Sequence, residues 1–256
     1  CAEIGGRVVS ATVRALGPVL VGVDGSASAA SAVAWATAEA SASGVGPTPT
    51  THRGEGPAAP ALREAARAGV LVVGRRGAGG FDGLSLGSTA RRLVHEDGPV
   101  TVVVPAEGDR PAADAPVVVD VSPDAGWAGT GSGPLPQHRA VGPEEVLTLA
   151  ASRAARERRP LLAVLHWAVP SSAAAEGRSI AQVWDEHARL AARRLERLLE
   201  PWRAAYPSVE LRTLVTDRHP VSTLLDLGRR AELLVLPRGP RACAVVEDAT
   251  CAVAVV

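Results

Sequence analysis

No lysine, asparagine or methionine occurs in the 256 residues, and all 27 cationic side chains are arginine. The bias is that of a GC-rich bacterial genome, and it has one chemical consequence. A Walker-type phosphate loop needs its lysine and is therefore excluded. Aromatics make up only 3%, so a core must be built from Ala, Val and Leu, which favours helices packed tightly on a Val-rich sheet. Cysteine is scarce: Cys1, Cys243 and Cys251 have no metal-ligand spacing, and an odd count argues against a disulfide framework. Formal net charge is zero, and no arginine block stands apart from acids. Binding to extended nucleic acid or to an anionic membrane therefore has little support. The sequence also lacks a basic start followed by a long apolar run, and any apolar stretch of about 18 residues that could span a bilayer. A cytoplasmic protein with no membrane or nucleic-acid partner is the expectation. A chain that begins at Cys1 and holds no Met is consistent with a fragment or an imperfect gene model.

Short Val/Leu runs alternate with Ala/Arg/Leu-rich helical stretches, the pattern of an α/β fold with parallel strands and crossover helices. In the first half, Val19 to Val23 reads as a buried strand ending at Asp24-Gly25-Ser26, and Ala29 to Ala40 as a helix capped by Ser26 or Ser28. Ser41 to Pro60 is Gly/Pro/Thr-rich and reads mostly as loop. Ala61 to Ala68 is a short helix, Val70 to Val73 a strand, Ser88 to Glu96 a helix and Val100 to Val104 a closing strand. In the second half, strands are expected at Val117 to Val121, Leu161 to Trp167, Val209 to Val215, Leu233 to Leu236 and Ala252 to Val256. Helices are expected at Glu144 to Arg158, Ile180 to Glu200 and Val221 to Arg229.

The halves align on each other. Val94 to Val104 lines up without a gap on Val246 to Val256, and the 66–73 segment matches 228–236 in residue type. Duplication is the natural reading, with domains at 1–106 and 117–256 and a linker at 107–116. From Asp24 to Gly74 is 50 positions but from Asp120 to Pro237 is 117. The first copy is therefore expected to lack a strand and a helix equivalent to Leu161–Glu200. The second copy is short after its fourth strand.

The most informative stretch joins the Val70–Val73 strand to the helix at Ser88: six glycines fall within fourteen residues, from Gly74 to Gly87. Glycine lets a ligand approach the backbone, and free N–H groups feeding a helix N-terminus make an anion site that needs no cation. Ser88 and Thr89 stand where that helix begins, with hydroxyls able to cap it or to donate to a phosphate oxygen. The spacing Gly74-x2-Gly77-x9-Gly87-Ser88, with Val19-Leu-Val-Gly-Val-Asp-Gly-Ser26 at the first strand, resembles the universal stress protein family. The specific motif covers 19–26 and 70–104.

That resemblance implies two open, mostly parallel, five-stranded-type sheets flanked by helices. It implies phosphate contacts at Gly74, Gly77, Gly87, Ser88 and Thr89, and a place beside the ribose and adenine for Asp24, which otherwise reads as a helix-capping carboxylate. It further implies ATP, accompanied by Mg2+, as ligand. The last strands, Val100–Val104 and Ala252–Val256, would pair, across a homodimer or within the tandem chain. Departures accompany it. The family's second strand, a wall of the adenine pocket, is missing from the expected first half. Pro237 and Pro240 align with Gly74 and Gly77, the loop and its Gly-Ser are absent, and proline offers no N–H. The second half is therefore expected not to bind ATP.

Weaker features are read conservatively. His166-Trp167 resembles the family's second-strand ending and reads as a packing pair. His187 and His219 read as solvated or capping residues, and His95-Glu96-Asp97 as a helix C-terminal turn rather than a metal cluster. Arg75 and Arg76 either pair with phosphate or lie in a solvated turn. No catalytic set stands out. The expected role is a nucleotide-binding stress-response regulator, not an enzyme beyond slow ATP hydrolysis. The alternative is a degenerate interaction module that binds no nucleotide.

Overall fold

The structure, a computed structural model, describes residues 18–42, 48–50, 57–79, 85–106, 111–122, 142–169 and 179–256. Cys1, part of the 41–60 segment, the middle of the glycine loop (80–84) and the first four linker residues (107–110) lie outside the described residues.

In the first half, β1 (Val19–Gly22), α1 (Ala27–Ala42), β2 (Thr48–Thr50), α2 (Ala58–Ala65), β3 (Val70–Gly74), α3 (Ser88–His95) and β4 (Val100–Val104) follow in order. The second half continues with β5 (Val117–Asp120), α4 (Pro143–Glu157), β6 (Leu161–His166), α5 (Ile180–Ala205) and β7 (Leu211–Thr216). It closes with α6 (Pro220–Gly228), β8 (Leu233–Leu236), α7 (Pro240–Asp248) and β9 (Ala252–Val255). Among the described residues the strands form one sheet of nine, in the order β2-β1-β3-β4-β9-β8-β5-β6-β7. Every neighbouring pair is parallel except β4 and β9, which run antiparallel with Thr101 opposite Val255 and Val103 opposite Val253. The closing strands thus pair within the chain, and the two expected sheets merge into a single one.

The composition explains the packing. α1 lays Ala29, Ala32, Ala36 and Ala40 on the sheet, each at most 5% exposed, so its backbone approaches the strands closely. The strands on either side of the seam are buried on both faces, which is why they read as continuous Val/Leu runs rather than alternating ones. α5 begins with a Ser-x-x-Gln capping box: Gln182 N–H donates to Ser179 Oγ at 3.3 Å, and Ser179 N–H to Gln182 Oε1 at 3.1 Å. Between the helices, Glu39 of α1 is fully buried and pairs with Arg153 and Arg156 of α4. Arg153 also meets Glu232 at 2.6 Å and lies 5.2 Å over the Trp35 ring. A buried carboxylate needs such partners to remain charged.

Two expectations are corrected. The first half keeps a strand beside β1: β2 pairs with it in parallel, Leu20 opposite Thr48, as β6 pairs with β5. Pro49 is tolerated there because β2 is an edge strand and only one of its sides is paired. Among the described residues, the elements of the second half without a first-half counterpart are therefore α5 and β7. The second half also contains α7 between its last two strands, where the sequence showed only a shortened segment.

Candidate functional site

β3 ends at Gly74, and thirteen residues separate it from α3. Both ends of this loop are tied down. Arg75 N–H donates to Val104 O at 2.8 Å and Gly87 N–H to Arg75 O at 2.9 Å. From the opposite side, the Asp24–Ser28 turn pins its first residues. Ser28 Oγ accepts from Arg76 N–H at 3.2 Å, and the two Asp24 oxygens accept from Ser26 N–H at 3.0 Å and Ala78 N–H at 2.8 Å. Ser26 caps α1, its Oγ accepting from Ala29 N–H at 3.1 Å. Partial burial pushes the Asp24 carboxyl up, but the hydrogen bonds from Ser26 and Ala78 outweigh it and hold the group below the usual carboxylate range.

This close approach accounts for two of the motif glycines. A Cβ on Gly74 would stand 2.6 Å from the Ser28 carbonyl, and one on Gly77 2.6 Å from Asp24 Oδ2. Both positions are glycine because another part of the chain fills the side-chain space. Gly87 differs: a Cβ there would stand 3.4 Å from Arg75 O and Gly77 N, an ordinary contact. Its backbone, at φ −65° and ψ 150°, is open to any residue.

Asp24, Gly74, Gly77, Gly87, Ser88 and Thr89 all line one cleft of about 460 Å³, with Gly22, Ala58, Leu62 and Val73 forming an apolar wall. The cleft lies at the carboxyl ends of β1 and β3, where open parallel sheets accept ligands. α3 starts there with Gly87 as its N-cap and no side-chain cap. The hydroxyls of Ser88 and Thr89 therefore do not cap the helix. The N–H groups of Gly77, Ser88 and Thr89 have no hydrogen-bond acceptor among the described residues. Unpaired backbone donors and a helix N-terminus converging on a cleft favour an anion. Both loop arginines line the cleft, but the Arg75 guanidinium is engaged elsewhere, donating to Ala249 O at 2.8 Å.

The second half fills the corresponding place with its own side chains. Asp120 ends β5 as Asp24 follows β1, and it forms the same turn, with Ser122 N–H donating to Asp120 Oδ1 at 3.0 Å. Its other oxygen meets Arg241 Nη1 at 2.5 Å instead of a loop amide. Only three residues, Pro237 to Gly239, separate β8 from α7. Gly239 caps α7 as Gly87 caps α3, and Pro240, expected opposite Gly77, instead stands with Arg241 where Ser88 and Thr89 stand in the first half. His166 is buried beside this cluster, its backbone N–H donating to Ser122 Oγ at 2.7 Å and its Nδ1 3.1 Å from the same oxygen. Burial pushes the Asp120 carboxyl up; His166, the Arg241 charge and Ser122 together bring it below the ordinary value. Ser122 and Asp120 both lie on the Nδ1 side of His166, so the three do not form a nucleophile–base–orienter relay.

Elsewhere, Trp167 packs edge-to-face on Trp184 at 5.1 Å, the packing role read for it. His187 Nδ1 lies 2.8 Å from Val183 O within its own helix. Glu96 accepts from Arg63 and Arg92 at the end of α3, and no group of three His, Cys, Asp or Glu residues suited to a metal occurs among the described residues. The sequence reading missed the apolar wall from α2 and the buried Ser28. It also missed Arg241, whose signal was the gapless register that sets it opposite Thr89.

A family model described as the universal stress protein family matches residues 38–104, which include the loop and α3 but not Asp24. Two solved structures share the fold. A universal stress protein from Archaeoglobus fulgidus is 13% identical with a TM-score of 0.51, over 86% of this chain and 72% of its own. A functionally unknown protein from Pseudomonas aeruginosa is 13% identical with a TM-score of 0.54, over 93% of this chain and 80% of its own.

Proposed function

We propose that this chain is a tandem, ATP-binding protein of the universal stress protein type, a stress-response regulator in which nucleotide in the first-half cleft modulates association with itself or with partners. One observation carries the reading. The residues of the Gly-x2-Gly-x9-Gly-Ser pattern converge on a cleft of about 460 Å³, lined by Gly77 and by the N-terminus of α3, which has no side-chain cap. The family match over 38–104 supports the same reading.

The donor set suits a phosphate chain. The amides of Gly77, Ser88 and Thr89 and two hydroxyls would hold phosphate oxygens, with Arg76 as the nearby cation. Ala58, Leu62 and Val73 offer the base an apolar wall. Any Mg2+ would arrive on the phosphates, since both Asp24 oxygens already accept N–H bonds. That engagement also leaves Asp24, the carboxylate among the described lining residues, poorly placed as a general base, so control by occupancy is favoured over turnover.

The test is an ATP titration of the chain and of Gly87→Val. The variant's backbone is unstrained, but its methyls would cover the Gly77 amide. Binding at or below millimolar ATP that vanishes in the variant supports the assignment. Equal affinity in both proteins, or no binding to either, removes it.

A further inference from the structure

The seam carries two arginines in equivalent positions. Arg75 follows β3 and Arg238 follows β8, and their backbone N–H groups donate to Val104 O at 2.8 Å and Val256 O at 3.0 Å. Each side chain crosses to the other half and ends on the C-terminal turn of a helix there. Arg75 donates to Ala249 O at the C-cap of α7. Arg238 is only 6% exposed, and its guanidinium donates to the carbonyls of Leu93, Glu96 and Pro99, the last two at 2.9 Å, around the end of α3. A planar cation with five donors is well suited to the several unpaired carbonyls and the negative dipole end of a helix.

The consequence differs between the halves. α3 is an eight-residue rod whose far end presents Ser88 and Thr89 to the cleft, so fixing its C-terminus fixes where its N-terminal amides point. Arg75 likewise anchors the residue beside Gly74. Arg238 itself does not line the cleft. Resting on the reading of that cleft as a phosphate site, we infer that the second half holds the cradle in place, with Arg238 as a positioning residue for a ligand it never touches. The half that lacks the loop is then a permanent intramolecular partner of the binding half. By the same geometry α7 is held by Arg75, but its N-terminus meets Asp120 through Arg241 and presents no open cleft.

The experiment uses the full chain. Arg238→Gln and Arg238→Lys are titrated with ATP, and amide exchange is followed at Gly87 and Arg91, whose N–H groups bond Arg75 O and Gly87 O, both at 2.9 Å. Leu199→Ala, in the core under α5, serves as a control chosen to match the loss of Tm. Arg238→Gln is expected to weaken ATP binding by about tenfold and to speed exchange at both amides. Arg238→Lys should fall between, and Leu199→Ala should leave affinity and exchange at these positions unchanged. Wild-type affinity or exchange in Arg238→Gln, or an equal loss in Leu199→Ala, overturns the inference. If wild type binds no ATP, the functional reading fails instead, while exchange at Gly87 and Arg91 still decides whether Arg238 holds the cradle.

Discussion

The two halves begin their clefts alike and finish them differently. Each places an aspartate at the end of its first strand, turns it back on a serine two residues later, and caps the last helix with a glycine. In the first half the second aspartate oxygen holds a loop amide, and Gly77, Gly87 and the start of α3 line a cleft. In the second, three residues replace the loop, and an arginine from the helix occupies the aspartate. The difference teaches how a binding half and a closed half can share one framework. Shortening a loop removes the donors, and a single cation then satisfies the carboxylate left behind.

The sharpest way to break the comparison is to treat the two aspartates alike. Arg241→Ala strips the partner from a carboxylate with no exposed surface and is expected to cost about 3–5 kcal/mol in urea unfolding. Asp24→Asn, at an exposed carboxylate, is expected to cost under about 1 kcal/mol. The pH dependence follows in sign. The folded Asp120 carboxyl lies below its ordinary value. Its stabilising contribution is therefore complete above the unfolded value of about 3.9 and is lost as pH falls through the lower folded value. The gap between wild type and Arg241→Ala should accordingly narrow in unfolding curves below about pH 4. Equal penalties for the two substitutions would erase the distinction between the halves.

Smaller effects sharpen it. Gly74→Ala drives a Cβ into the Ser28 backbone and should cost roughly 1–3 kcal/mol, measured by thermal unfolding, whereas Gly87→Ala should be close to neutral. Saturating ATP at about 100 times Kd should stabilise wild type by about 2.7 kcal/mol and leave Gly87→Val unmoved. Least of all, Arg91→Ala removes the exposed seam pair to Glu247 at 2.7 Å and should shift stability by no more than about 1 kcal/mol. A larger shift would mean that surface charge, rather than strand pairing and the buried arginines, holds the seam.

Much of this was legible in the sequence because it rests on local patterns. Val/Leu runs gave the strands around the seam, the glycine-rich stretch between Val73 and Ser88 gave the loop, and the gapless register of 94–104 on 246–256 gave the pairing strands. What escaped depends on contacts far apart in the chain. β2 is three residues with a central proline, held by pairing to β1 and not by its own propensity. α7 opens with Pro240 behind a glycine, so it read as a shortened tail. The cross-seam caps of Arg75 and Arg238 join residues more than 130 positions apart, and a sequence rich in arginine gives no sign of which ones are buried. The sequence pattern also gives no sign that Ser28 and Asp24 occupy the side-chain space at Gly74 and Gly77, a second reason for glycine there beside the expected ligand contact. Gly87 is the motif glycine at which a Cβ would meet no clash, standing in ordinary contact with Arg75 O and the Gly77 amide.

The measurement that bears most directly on the central claim is the stoichiometry of ATP binding to the whole chain by calorimetry. One nucleotide per chain, abolished by Gly87→Val and unaffected in number by Arg241→Ala, is the expected result. Two per chain, or binding that survives Gly87→Val, would contradict the division into a binding half and a closed half.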